Sequence, residues 1–160
     1  MSKGMLYEQH MNDETFMHRA LLEAKKAYLK GEVPVGAVLT LDGQVIARAH
    51  NRREELQDPT AHAEILAIRE ASAKLRSWRL IGATLYVTLE PCSMCAGALV
   101  LARVTRLVYG APDPKSGAVG SIMNLAEHEA LNHRLAVKSG ILQDECSAIL
   151  KQFFSELRDD

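Results

Sequence analysis

The sequence predicts an α/β chain built on a mixed sheet, and three observations lead there. Two strand-like runs flank Asp42-Gly43, a turn dipeptide that takes positive φ readily and so reads as the tip of an antiparallel hairpin. A strand, a helix and a second strand follow one another between Thr84 and Tyr109, an order that implies parallel pairing with a right-handed crossover. Helical periodicity marks both ends of the chain.

Taken in order, the first helix is expected after Asn12-Asp13. Apolar Phe16, Met17, Ala20, Leu21, Ala24, Ala27 and Tyr28 recur there at helical spacing, and Gly31 follows as a C-terminal stop. Val35 to Leu41 and Gln44 to Ala49 form the hairpin strands. Asp58-Pro59-Thr60 then halts the chain and offers Thr60 as the cap of a helix from Ala61 to about Leu75, which puts His62 and Glu64 in its first turn. Thr84 to Leu89 reads as a buried strand, Pro91 suits the first position of a helix running to about Ala102, and Val104 to Tyr109 is strand-like. Residues 111 to 121, with Gly117, Gly120, two prolines and two serines, have the composition of a functional loop. A short strand around Leu135 to Lys138 and an amphipathic helix from Leu142 to Leu157 complete the chain.

At 160 residues and 48% hydrophobic, the chain is the size of one domain, 1–160, with a substantial core. No apolar run is long enough to cross a bilayer, and Met1 to Glu14 lacks the pattern of a secretory signal, so a cytoplasmic protein without a membrane partner is expected. Three cysteines, two of them in a C-x-x-C pair, favour metal binding over a disulfide framework in a reducing compartment. The net charge of −1 excludes a strongly basic nucleic-acid-binding chain and requires any nucleic-acid contact to be focused.

The chemistry is concentrated in His62-Ala63-Glu64 and Pro91-Cys92-Ser93-Met94-Cys95. His62, Cys92 and Cys95 supply one imidazole and two thiols, three ligands of a tetrahedral zinc site that keeps its last position for solvent. Glu64 is then the carboxylate that moves protons. Plainer readings stand beside this one. Cys146 as a fourth ligand would make the zinc purely structural, and C-x-x-C alone is compatible with a redox pair. His62 alone reads as a structural histidine, and Glu64 alone as an acid favoured by a helix N-terminus.

H-x-E followed by P-C-x-x-C is the signature of zinc-dependent nucleobase deaminases. With these residues the chain resembles the cytidine-deaminase-like superfamily, and within it the bacterial-type tRNA adenosine deaminases that convert the wobble adenosine to inosine. The resemblance runs through Glu32 to Val38, Asp58 to Glu64, Thr84 to Cys92, Met94 to Ala98 and Asn132-His133-Arg134; the narrower family rests on Ala111 to Ser121 and Phe153-Phe154. It implies a three-layer α/β/α fold with a mixed five-stranded sheet, one zinc ion per subunit, a homodimer, and a tRNA anticodon stem-loop as partner. It also implies substrate contacts from Val33, Asn51, Ala63, Asp113 and Phe154: Asn51 on the purine edge, the Ala63 amide facing the reacting centre, Asp113 on a ribose hydroxyl, and Phe154 stacked on an unpaired base.

Each contact has a bland counterpart: Asn51 and Asp113 as turn residues, Phe154 as core. Arg52, Arg53, Arg103, Arg106 and Lys115 are candidates for phosphate contact or ordinary surface charge. The segment Ser155 to Asp160 is net acidic, where some members of the family extend with basic residues. The competing functions are deamination of a free base or nucleoside such as guanine or cytosine, and a non-enzymatic module stabilised by zinc.

Overall fold

The computed structural model describes residues 3–159, without the side chains of 6–11; Met1, Ser2 and Asp160 of the expected 1–160 domain lie outside the described residues. Five helices and five strands follow in the order α1 (Lys3–Leu29), β1 (Gly36–Leu41), β2 (Gln44–His50), α2 (Arg53–Leu56), α3 (Ala63–Leu75), β3 (Thr84–Leu89), α4 (Ser93–Leu101), β4 (Arg106–Ala111), β5 (Ala136–Ser139) and α5 (Gln143–Arg158).

The sheet order is β2-β1-β3-β4-β5. β1 runs antiparallel to both β2 and β3, while β3, β4 and β5 are parallel, so the sheet is mixed as expected. Asp42 and Gly43 both take positive φ at the hairpin tip, the geometry that matches strand twist.

Alternation along the strands builds two cores. Ala37, Leu39, Leu85, Val87, Leu107 and Tyr109 join Ala63, Ala67 and Ala71 of α3 and Ala96, Leu99 and Val100 of α4. Val38, Tyr86 and Val108 point the other way and meet Met17, Ala20 and Leu21 of α1 and Cys146 of α5. With helices on both faces, the central strands are buried twice over, which explains their nearly continuous apolar sequence. The three layers are thus α1 and α5, the sheet, and α3 with α4. Contact is closest at Gly36, where a Cβ would collide with the α1 backbone at Ala20 and Ala24.

Three local expectations are corrected. Helix α1 begins at Lys3, well before Asp13, and Asp13 lies buried within it instead of preceding it. Thr60 does not cap α3: its hydroxyl donates to Asp58, and His62 occupies the capping position without a side-chain cap bond. Pro91 stands two residues ahead of α4, whose capping position is held by Cys92.

Candidate active site

Two of the three metal-motif residues therefore sit at helix entrances, with Cys95 in the first turn that follows. His62 ends an extended segment and leads into α3, and Cys92 leaves β3 and leads into α4. Because α3 and α4 pack side by side on one face of the sheet, their N-termini converge at the same edge. His62 Nδ1 lies 3.6 Å from Cys92 Sγ and 3.6 Å from Cys95 Sγ. The three ligand atoms all lie within 4.8 Å of one another. Zn–S distances of about 2.3 Å and Zn–N distances of about 2.0–2.1 Å at tetrahedral angles would place nitrogen and sulfur about 3.6 Å apart, so these residues fit a zinc ion. Cys146 lies on the opposite face of the sheet, in the α1 and α5 core, and does not belong to this group. The closed four-ligand site is excluded.

The proton inventory fits the same chemistry. The Cys92 thiol is held down to about 4, chiefly by its hydrogen bond with Cys95, with His62 adding to the effect against burial. Cys95 moves the other way, pushed up first by the neighbouring Cys92 sulfur and then by burial. Two thiols sharing a proton in this way are ready to exchange it for a cation. The Cys92 sulfur raises His62, and burial raises Glu64, which is 4% exposed.

A cavity of about 140 Å³ opens over this group, lined by Val33, Val35, Asn51, Arg53, His62, Ala63, Glu64, Leu89, Glu90, Cys92, Asp113 and Ser116. At 10–15 Å³ of such volume per water, it accommodates on the order of ten small atoms, the size of one heterocycle. Larger hollows, such as the groove of about 550 Å³ along β2, hold no close group of three metal-ligating side chains among the described residues.

Four of the five expected substrate contacts, Val33, Asn51, Ala63 and Asp113, line the cavity with Glu64. Asn51 donates from Nδ2 to the Val33 carbonyl at 3.2 Å and accepts the Arg53 amide at Oδ1 at 3.2 Å, which fixes the orientation of its amide. Asp113 accepts from the Lys115 and Ser116 amides and from the Ser116 hydroxyl, so it does shape its loop. Phe154 is outside this cavity. It lines a separate groove with Lys115, Leu150, Lys151, Leu157 and Arg158. Phe153 is buried while Phe154 is 43% exposed, so the core reading applies to the former only.

The basic residues divide as well. Arg106 forms a paired contact with buried Asp13, Arg52 pairs with Glu55, and Arg103 donates to the Val100 carbonyl. Arg53 lines the cavity and Lys115 the Phe154 groove. Sequence reasoning missed Val35, Leu89, Glu90 and Ser116. Glu90 had a signal: a lone acid directly after the apolar run of β3 and before Pro91-Cys92.

Residues 11–158 match the model of the MafB19-like deaminase family. The chain is 59% identical over 146 residues to the tRNA-specific adenosine deaminase of Bacillus subtilis, covering 91% of both chains. It is 49% identical to that of Aquifex aeolicus, covering 94% of this chain and 99% of the relative. Among solved structures, one from a study of A-to-I editing by tRNA:A34 deaminases superposes with a TM-score of 0.82 at 54% identity, over 85% of this chain and 99% of that one. A guanine deaminase from Nitrosomonas europaea superposes with a TM-score of 0.78 at 26% identity, over 89% of this chain and 84% of that one. The cavity with its His-Cys-Cys group and buried carboxylate is thus carried by a chain that belongs to the tRNA-specific adenosine deaminases, within the MafB19-like deaminase family.

Proposed function

We propose that this chain hydrolyses the wobble adenosine of a tRNA anticodon to inosine and ammonia, with one zinc ion held by His62, Cys92 and Cys95. The observation that carries the proposal is that His62, Cys92 and buried Glu64 line a single base-sized cavity, with the Cys95 sulfur completing the ligand group behind them. When bound, zinc supplies Lewis acidity and a water acidified toward neutral pH. The Glu64 carboxylate takes a proton from the attacking water and delivers it to the ring nitrogen beside the amino-bearing carbon. It next takes the proton of the hydroxyl now on that carbon and passes it to the exocyclic nitrogen, so that the hydroxyl becomes the product carbonyl and ammonia, not amide ion, departs. One water is consumed and one ammonia released.

Asn51 keeps a second N–H and a second lone pair beyond its two backbone bonds, enough to donate to and accept from a purine edge. The Ala63 amide, at the start of a helix that no side chain caps, offers a donor to charge developing in the reaction. Val33 and Val35 wall the base. Asp113, which also lines the cavity, accepts a ribose 2′-hydroxyl in this reading, the contact that favours RNA. The Phe154 groove adds a stacking surface flanked by Lys115, Lys151 and Arg158, a focused basic strip on a chain of net charge −1. An unpaired anticodon loop suits such a site, because extruding an unstacked base costs little.

The working unit in this reading is a cytoplasmic homodimer. The exposed apolar side chains of Leu101, Ile122, Met123 and Leu131 support a subunit contact, checked by light scattering. Among the described residues no helix is long and apolar enough to cross a membrane.

The test is ammonia release from an anticodon stem-loop carrying adenosine, from the same loop in DNA, and from free guanine and cytosine. Turnover on the RNA loop above all others is expected. Turnover confined to the free bases would overturn the tRNA assignment.

A further inference from the structure

We propose that Glu90 is a positioning residue, a buried carboxylate around which loop 113–121 folds into the shape that reads the substrate. The proposal rests on the cavity being the substrate site. Glu90 ends the β3 run, immediately before Pro91 and Cys92, and is 2% exposed. Its Oε1 accepts the Asp113 amide at 3.0 Å and the Ser121 hydroxyl at 2.5 Å. Its Oε2 accepts the Val119 amide at 3.0 Å and the Ser121 amide at 3.1 Å. Four donors fill the four lone-pair sites of a carboxylate. No capacity remains for a base or ribose, so Glu90 acts through the loop and not on the reacting atoms.

The loop needs such an anchor. Between β4 and β5 the chain forms only an isolated bridge, Val119 to Asn124, so most of its amides have no ladder to enter. Glu90 replaces that ladder. Backbone bonds complete the attachment: the Glu90 amide donates to the Ala111 carbonyl and the Ala118 amide to the Pro91 carbonyl, each at 2.8 Å. Gly117 passes so close that a Cβ there would fall on the Glu90 carboxylate, which accounts for a glycine at that point.

The consequence is a fixed distance between two functions. The residue preceding the metal-ligand turn also holds the amide of Asp113, whose carboxylate orders Lys115 and Ser116. Asp113 and Ser116 line the cavity. Releasing Glu90 therefore loosens the substrate-reading side and leaves the His62-Cys92-Cys95 side in place.

Zinc-loaded wild type and Glu90→Gln test this. The amide keeps the shape of the side chain but turns one acceptor into a donor facing other donors. We expect hydrogen exchange at Asp113, Val119 and Ser121 to accelerate at least about tenfold with zinc stoichiometry unchanged, and KM for the RNA stem-loop to rise about tenfold while kcat stays within about threefold. Unchanged exchange, or a loss confined to kcat, overturns the proposal. Ser121→Ala, a milder change at an exposed residue, guards against a variant that fails to fold: it should raise KM about threefold and add nothing on top of Glu90→Gln. Full additivity overturns the proposal too. If wild type releases ammonia only from free bases, the substrate reading fails, while the exchange measurement still judges Glu90 separately.

Discussion

Replacing Asp13 by alanine should be among the most damaging single changes away from the cavity. Its carboxylate is buried inside α1 and receives the Tyr86 hydroxyl at 2.8 Å, the two terminal Arg106 guanidinium nitrogens at 2.7 Å and Lys138 Nζ at 3.3 Å. It thereby ties the first helix to β3, β4 and β5 in turn. Removing it leaves Arg106, 18% exposed, as an uncompensated charge against the sheet. Losing one partner of a buried pair costs about 3–5 kcal/mol. With about 2–4 °C per kcal/mol for a chain of this length, the melting temperature should fall roughly 6–20 °C.

The pH dependence has a defined sign. Burial pushes the Asp13 carboxyl up, but hydrogen bonds from Arg106, Tyr86 and Lys138 outweigh it and hold it below the ordinary aspartate value. A depressed folded-state pKa gives stability that is present above the unfolded value, about 3.9, and lost as pH falls through the folded one. Urea unfolding of wild type and Asp13→Ala at a series of pH values is the assay. The gap should hold from pH 7 to about 5 and narrow below about 4. A gap under about 1 kcal/mol at pH 7, or one that widens on acidification, would refute the reasoning.

Glu64→Gln should retain zinc, since Glu64 is not among the ligands, and lose turnover by at least about 10³-fold because acid and base help disappear together; substantial residual ammonia release would remove Glu64 from the mechanism. Cys146→Ser should keep full zinc stoichiometry and lose about 1–3 kcal/mol from a hydroxyl buried in an apolar core, measured by metal analysis and denaturation. Burial pushes that thiol up to about 12, so it should resist thiol reagents at neutral pH in the folded protein. Gly36→Ala should destabilise by about 1–3 kcal/mol or more as α1 is forced off β1, read as a lower melting temperature. Chelation of the metal should abolish ammonia release, and added zinc should restore it; undiminished activity in fully stripped protein would exclude the metal role.

Much of this was legible in the chain because the signals were local. The hairpin follows from two residues that tolerate positive φ, and the double burial of β3 and β4 follows from runs without polar alternation. The grouping of His62, Cys92 and Cys95 was readable because few jobs other than metal binding call for an imidazole and two thiols in such a pattern. Two of the errors came from hydrogen-bond partners that a helix pattern does not show. Thr60 resembled a cap but Asp58 took its hydroxyl, and Asp13 resembled a helix boundary until Arg106, distant in sequence, claimed its carboxylate.

Residue types and short spacings alone determined the class of fold and singled out the three candidate ligand side chains and the acid near them, since these depend on the intrinsic chemistry of neighbours in the chain. Tertiary structure decided what depends on distant segments meeting. It set the 3.6 Å separations that suit a zinc ion, the exclusion of Cys146 from that group, the division of labour between Phe153 and Phe154, and the clasp of Glu90 on a loop more than twenty residues away. A hydrogen bond or a ligand vertex is fixed by position in space, and sequence spacing reports that position only within a single element of secondary structure.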